Sequence, residues 1–108
     1  MDDSVKRGTS RSTPIARKFV IRDPNLELEV QSEGTELSFH LLDSSGRSAA
    51  YTVKEKEVTL GDAHRIGRQI EQDFNRSNGT IMELSDVSRV IGMVHRSIII
   101  FRNRDVKG

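Results

Sequence analysis

The sequence predicts a two-layer α+β domain, in which a four-stranded antiparallel β-meander packs on a C-terminal helix pair with a closing strand. In the first half of the chain, apolar and polar residues alternate, which is the period of strands with one buried face. In the second half, apolar residues recur every three or four positions, as in an amphipathic helix. Because short turns join the strands, neighbours in sequence are expected to pair antiparallel.

The four predicted strands each have one apolar face and are separated by turns that contain Asp, Asn, Ser, Gly or Pro. The outer positions are polar, so we expect one buried sheet face and one face that stays wet unless a partner covers it. The apolar positions are Phe19 and Ile21, then Leu26, Leu28 and Val30, then Leu37, Phe39 and Leu41, and finally Ala49, Tyr51 and Val53.

The first predicted helix has recognisable start and stop signals. Thr59 and Asp62 have the spacing of a capping box, with Thr59 as the N-cap and Asp62 reaching back. The helix is expected to span Thr59–Ser77 and to end at Asn78-Gly79, where glycine suits a left-handed residue. Its apolar stripe consists of Leu60, Ala63, Ile66, Ile70 and Phe74.

A second, weaker helix and a final strand are predicted to complete the domain. Ser85-Asp86 is expected to start the helix, and Gly92 weakens it by about 1 kcal/mol relative to alanine. The β-branched run Ser97–Phe101 predicts a buried closing strand. The short apolar stripe of the helix consists of Val87, Ile91 and Val94.

The chain has 108 residues, which is the size of one domain. Residues 1–14 are predicted to form a disordered basic arm, residues 15–104 a single domain, and residues 105–108 a frayed tail. No apolar run approaches the ~18 residues of a membrane span, and the acidic start is unlike a secretory signal. The chain has no cysteine, which excludes thiolate chemistry and fits a reducing compartment, so we expect a cytoplasmic protein without membrane contact.

No residue pattern indicates catalysis. The three histidines are far apart in sequence, and none has metal-ligand spacing. Glu27, Glu29 and Glu36 are expected on the solvent-exposed sheet face. In such a place nothing distinguishes one carboxylate from another, as the pairing of a catalytic acid with a catalytic base would require. Phosphate-binding loops and nucleophile motifs are absent from the sequence. We therefore predict a protein without enzyme activity, cofactor or metal site.

Protein interaction is the predicted function, either with another protein or in a homo-oligomer. The outer face of the third and fourth strands can pack against a partner with little charge to desolvate. The first and last strands are also expected to leave sheet edges open to a partner strand, with Lys18 and Arg22 as edge protection. The candidate interface residues are Ser38, His40, Ser48, Ala50 and Thr52.

Nucleic-acid binding is the alternative prediction. Residues 1–22 carry six Lys or Arg and two Asp, but residues 23–43 carry six acidic residues and no Lys or Arg. The aromatic residues also fall on apolar stripes, whereas single-strand binders stack bases on exposed aromatics. The candidate contacts are Lys6, Arg7, Arg11, Arg17, Lys18, Arg65 and Arg68, which would neutralise phosphates.

Overall fold

A computed structural model describes the backbone of residues 17–107 and the side chains of residues 18–102. The predicted arm at residues 1–14 lies outside this range. Four strands are followed by two helices, which confirms the predicted α+β meander with a C-terminal helix pair. The elements are β1 (Arg17–Asp23), β2 (Leu26–Glu33), β3 (Glu36–Asp43), β4 (Ser48–Lys54), α1 (Ala63–Asn78) and α2 (Leu84–Lys107).

The sheet has the order β1-β2-β3-β4, and each strand pairs antiparallel with the next. Short turns make this order possible: two residues join β1 to β2 and β2 to β3, the latter at Gly34-Thr35, and four residues join β3 to β4. Gly34 has a φ of 63°, a left-handed conformation that glycine adopts without a steric penalty. The described part of the sheet therefore has β1 and β4 as its two edges.

Both helices cover the same face of the sheet. α1 packs on β3 and β4, and α2 packs on β1 and β2. Eight of the predicted strand positions are buried there, and the other three, Phe19, Tyr51 and Val53, are partly buried against the core. The predicted assignment of the two sheet faces is confirmed, and the outer face is left uncovered by the described residues.

The predicted capping box precedes α1. The backbone N–H of Thr59 donates to Asp62 Oδ2 at 2.8 Å, and the Thr59 hydroxyl donates to the same oxygen at 3.0 Å. Leu60–Asp62 forms a 3-10 turn, so the α-helix begins only at Ala63. Leu60 consequently points away from the helical stripe and is 49% exposed, which makes its predicted core position wrong. The other four stripe residues are buried.

The predicted closing strand is wrong, because Ser97–Phe101 is part of α2. Ile99 and Ile100 are each 36% exposed, whereas the residues on either side of them are buried, as expected for a helix and not for a buried strand. The helical backbone continues to Lys107, so it also includes residues 105–107 of the predicted tail. The buried residues of α2 are Val87, Val90, Met93, Val94, Ser97, Ile98 and Phe101.

Candidate protein interface

The uncovered face of β3 and β4 brings all five predicted interface residues together. The strand register places them in cross-strand pairs, and it adds Leu42, which is not among the predicted residues. We call these six residues the β3–β4 patch. Leu42 is 37% exposed and is the largest apolar side chain in the patch. The pairs are Ser38 with Thr52, His40 with Ala50, and Leu42 with Ser48.

Two of the four polar side chains in the patch are hydrogen-bonded to each other. The hydroxyl groups of Ser38 and Thr52 lie 3.1 Å apart and share a hydrogen bond across the strands. His40 and Ala50 are exposed beside them. Because the two hydroxyls already have partners, covering them costs less free energy than covering unpaired polar groups. The arrangement suits burial against another protein surface.

Backbone hydrogen bonds alternate along β4 and show which groups face its open edge. Asp43 N–H donates to Arg47 C=O at 2.9 Å, and Glu55 N–H donates to Thr35 C=O at 2.8 Å. Both bonds continue the β3–β4 pairing, one at each end of β4. Arg47 and Glu55 therefore belong to the set of alternate residues that bond to β3. In an antiparallel pair every second residue exchanges bonds with its neighbour, and the residues between turn their N–H and C=O groups the other way. The outward-facing residues are therefore Ser48, Ala50, Thr52 and Lys54.

One of these outward-facing groups already has a partner. Asn78, at the end of α1, donates from Nδ2 to the carbonyl of Ser48 at 3.1 Å and to that of Phe74 at 2.9 Å. Within residues 17–107, no backbone group bonds to the outward amides of Ala50 or Thr52. In the described part of the chain, the edge of β4 that lacks a backbone partner thus begins at Ala50.

The two edges of the described sheet differ in charge. On β1, Lys18 pairs with Glu29 at 3.1 Å and Arg22 pairs with Glu27 at 3.5 Å. Charged side chains, Lys above all, discourage strand pairing at an edge. The outer face of β4 is uncharged from Ser48 to Thr52 and carries one charged residue, Lys54, at the end of the strand. The β4 edge is therefore the more accessible of the two for a partner strand.

Three of the seven predicted nucleic-acid contacts have side chains that the structure describes, and these three do not lie on one surface. Lys6, Arg7, Arg11 and the side chain of Arg17 lie outside the described residues. Lys18 lies on the uncovered sheet face, whereas Arg65 and Arg68 lie on α1 in the opposite layer. Arg65 pairs with Asp62 at 3.2 Å, and Arg68 pairs with Glu71 at 2.7 Å. The three described side chains thus share no surface, and each has an acidic partner.

A groove of about 420 Å³ lies between the β3–β4 turn and the loop that joins the helices. Asp43 lines it and accepts hydrogen bonds from the backbone N–H and hydroxyl of Ser45 and from the backbone and Nε of Arg47, at 2.8–3.0 Å. Burial would raise the pKa of Asp43, but these hydrogen bonds hold it below its ordinary value. The Arg47 guanidinium also lies 5.7 Å from the ring centre of Phe74. Asp43 therefore holds the turn together.

The remaining chemically versatile side chains are dispersed. His40, His64 and His95 are exposed on the sheet, α1 and α2 respectively. Among the described residues, no three His, Asp or Glu side chains are grouped so that they could hold a metal ion. In the same part of the chain, no helix combines the length and apolarity needed to cross a membrane.

No protein-family model matches the chain, and neither a curated protein nor a solved structure matches it significantly. The basis for a functional proposal is therefore the chemistry and geometry of the chain's own residues.

Proposed function

We propose that the chain is a non-catalytic interaction module that binds another protein, or a second copy of itself, through the β3–β4 patch and the adjoining edge of β4. The observation that supports this is the pairing of six uncharged or weakly basic side chains on a sheet face that the helices leave uncovered. An uncovered face with few charges is inexpensive to desolvate, and a partner gains the contact area.

The surroundings of the patch also favour this proposal. Interfaces commonly have a weakly charged centre and a polar rim. Glu29 and Glu27 flank the patch on β2, and Lys18 and Arg22 lie beyond them on β1. Leu42 supplies apolar area at one end of the patch. The rim thus carries both negative and positive side chains, and a partner with the complementary pattern of charges would bind preferentially.

A cytoplasmic location fits the same proposal, because a chain without cysteine gains nothing from an oxidising compartment. The interaction would then depend on hydrogen bonds and packing without any covalent link to the partner.

Site-specific photo-crosslinking tests the proposal. A photoreactive residue replaces His40 in the patch of the full-length chain, within the cells that naturally produce it. The matched control carries the same residue in place of Gln72, which is exposed on α1 in the opposite layer. We expect discrete protein adducts from position 40 and not from position 72. Equal adducts from both positions, or none from position 40, would contradict the proposal.

A further inference from the structure

Within residues 17–107, no strand pairs with the outer edge of β4, and the open part of this edge is short. Alternation along the strand directs the N–H and C=O groups of Ala50 and Thr52 and the N–H of Lys54 away from β3. The Lys54 carbonyl is the first acceptor of the 3-10 turn Glu55–Glu57. Asn78 occupies the carbonyl of Ser48, so it marks one end of the available segment. An unpaired strand edge is a template for another strand. The segment Ala50–Lys54 therefore offers the N–H and C=O groups of Ala50 and Thr52 and the N–H of Lys54 to a partner strand.

This segment is complementary to itself. When two copies run antiparallel about a two-fold axis at Thr52, Thr52 faces Thr52 of the second copy and Ala50 faces its Lys54. The central pair exchanges two N–H to C=O bonds, and the N–H of each Lys54 donates to the facing Ala50 carbonyl, so the seam has four backbone hydrogen bonds. The register uses the residues that Asn78 leaves available and no others. The occupant that fits this edge best is thus a second copy of the chain.

No like charges face each other in this arrangement at β4, whereas they do in the corresponding arrangement at β1. About the Thr52 axis, the two Lys54 side chains lie at opposite ends of the seam, and each faces an alanine. At β1, a two-fold axis at the central residue, Val20, would place Lys18 directly opposite Arg22 of the second copy. Like charges that face each other across strands destabilise the pair. Two copies are therefore expected to pair through β4 and not through β1. Since each copy has one such edge, the assembly is limited to a dimer.

We infer that β4 pairs with β4 of a second copy about a two-fold axis at Thr52, so that two four-stranded sheets join into one. This inference rests on the proposed function and specifies its partner and its contact. A two-fold axis perpendicular to the sheet places both β3–β4 patches on the same face of the joined sheet, next to each other. The dimer would then present a double patch on one side and four helices on the other.

Removal of one outward-facing N–H tests the inference. Thr52→Pro deletes a donor that points away from β3, and proline is tolerated at such edge positions. The matched control is Val20→Pro. When the alternation of hydrogen bonds is followed from β4 through β3 and β2 to β1, the N–H of Val20 points outward at the β1 edge. Sedimentation equilibrium of the full-length chain from about 1 to 300 µM covers the affinities expected for a small interface. We expect a dimer for the wild type and for Val20→Pro, and about tenfold or more weaker association for Thr52→Pro.

A second pair of variants decides the matter if Thr52→Pro does not fold. Thr52→Lys keeps the backbone donor but places two lysines against each other at the axis, and Val20→Lys is its control. We expect monomers from Thr52→Lys and dimers from Val20→Lys. A wild-type monomer throughout this concentration range, or a dimer that Thr52→Lys leaves unchanged, would overturn the inference.

Cysteine cross-linking checks the register. The chain has no cysteine, so Thr52→Cys introduces a single thiol at the axis. The facing Cα atoms of such a pair are about 5.5 Å apart, within the range that a disulfide spans. Oxidation should yield a covalent dimer from Thr52→Cys and none from Val20→Cys. If the wild type is monomeric while position 40 still cross-links to a different protein, the inference fails and the proposed function stands. If position 40 gives no adduct either, both fail.

Discussion

Gly67 of α1 lies directly against Ile91 of α2. A Cβ atom placed on Gly67 would lie 2.6 Å from Cγ1 and 3.0 Å from Cα of Ile91, which is closer than carbon atoms pack. The absent side chain lets the two helices approach each other at this point. The helix pair that covers the sheet thus depends on one glycine.

Gly67→Ala is expected to destabilise the domain. Alanine favours the helix by about 1 kcal/mol relative to glycine, but overpacking a core typically costs about 1–3 kcal/mol. The contact with Ile91 Cα involves backbone, which cannot move aside by a change of rotamer. We therefore expect a net loss of about 1 kcal/mol or more in the free energy of unfolding, measured in urea.

Gly92→Ala is the matched control for that substitution. Gly92 is an exposed glycine of α2, and no atom lies within 4 Å of the position that its Cβ would take. We expect this variant to gain up to about 1 kcal/mol. If both alanine variants were equally stabilised, close contact at Gly67 would not describe the helix crossing.

The sheet could be predicted from the sequence because apolar and polar residues alternate over four successive segments, a period that strands have and helices lack. The closing strand was predicted wrongly because the apolar run Ile98–Phe101 has only four residues, too few to distinguish the period of a helix from that of a strand. In α2, Ile98 and Phe101 extend a buried stripe that begins at Val87, more than ten residues earlier. That stripe is visible only over the full length of the helix, where packing outweighs the strand propensity of isoleucine.

The candidate interface was predictable in part. Ser38 and Thr52 share the outer face because both hold polar positions of alternating strands, and the register then makes them neighbours. Leu42 was missed because it follows Leu41 directly, so hydropathy does not show which of the two is outside. The bond between Asn78 and the Ser48 carbonyl joins residues 30 positions apart, and nothing local in the sequence indicates it.

Asp62 is expected to make stability depend on pH in the acidic range. Hydrogen bonds from the backbone N–H and hydroxyl of Thr59, together with the nearby Arg65, lower the pKa of Asp62. A carboxyl whose pKa is lower in the folded state stabilises the fold above its unfolded pKa of about 3.9. That contribution is lost as the pH falls through the folded-state pKa.

The measurement is a comparison of thermal unfolding for the wild type and Asp62→Asn from neutral to acidic pH. Asparagine keeps the shape and an acceptor oxygen but removes the charge. We expect the wild type to melt at a higher temperature at pH 6–7, and the difference to shrink below a pH of about 4. A difference that stayed constant down to the lowest pH would show that the charge of Asp62 does not stabilise the capping box.

Asn78→Ala is expected to loosen the connection between α1 and β4. The side chain donates to the Ser48 and Phe74 carbonyls, and each such bond contributes about 0.5–1.5 kcal/mol net. The higher helix propensity of alanine offsets a few tenths of a kcal/mol of this loss. We expect a loss of about 1–2 kcal/mol in urea unfolding, with Ser77→Ala as the control at the adjacent exposed position. Equal stability of the two variants would mean that the Asn78 bonds do not secure the strand.

Oligonucleotide binding is expected to be confined to the basic residues at the start of the chain and to disappear near physiological salt. Lys18, Arg65 and Arg68 each lie beside a carboxylate, and they lie in different layers, so they cannot follow one phosphate backbone together. Binding through counterion release alone falls steeply as salt rises. A labelled oligonucleotide is titrated, at several salt concentrations, into the full-length chain and into a chain that starts at Ile15. The titrations measure how binding depends on salt and on the first 14 residues.

We expect weak binding by the full-length chain at low salt, and none by the shorter chain. Double substitution of Arg65 and Arg68 by glutamine should leave the low-salt affinity of the full-length chain unchanged, because their charges are already balanced by Asp62 and Glu71. Tight binding near physiological salt that this double substitution weakens would instead identify the α1 surface as a nucleic-acid interface. The arginines of α1 would then bind phosphates in preference to their neighbouring carboxylates, and nucleic-acid binding would be the better-supported function.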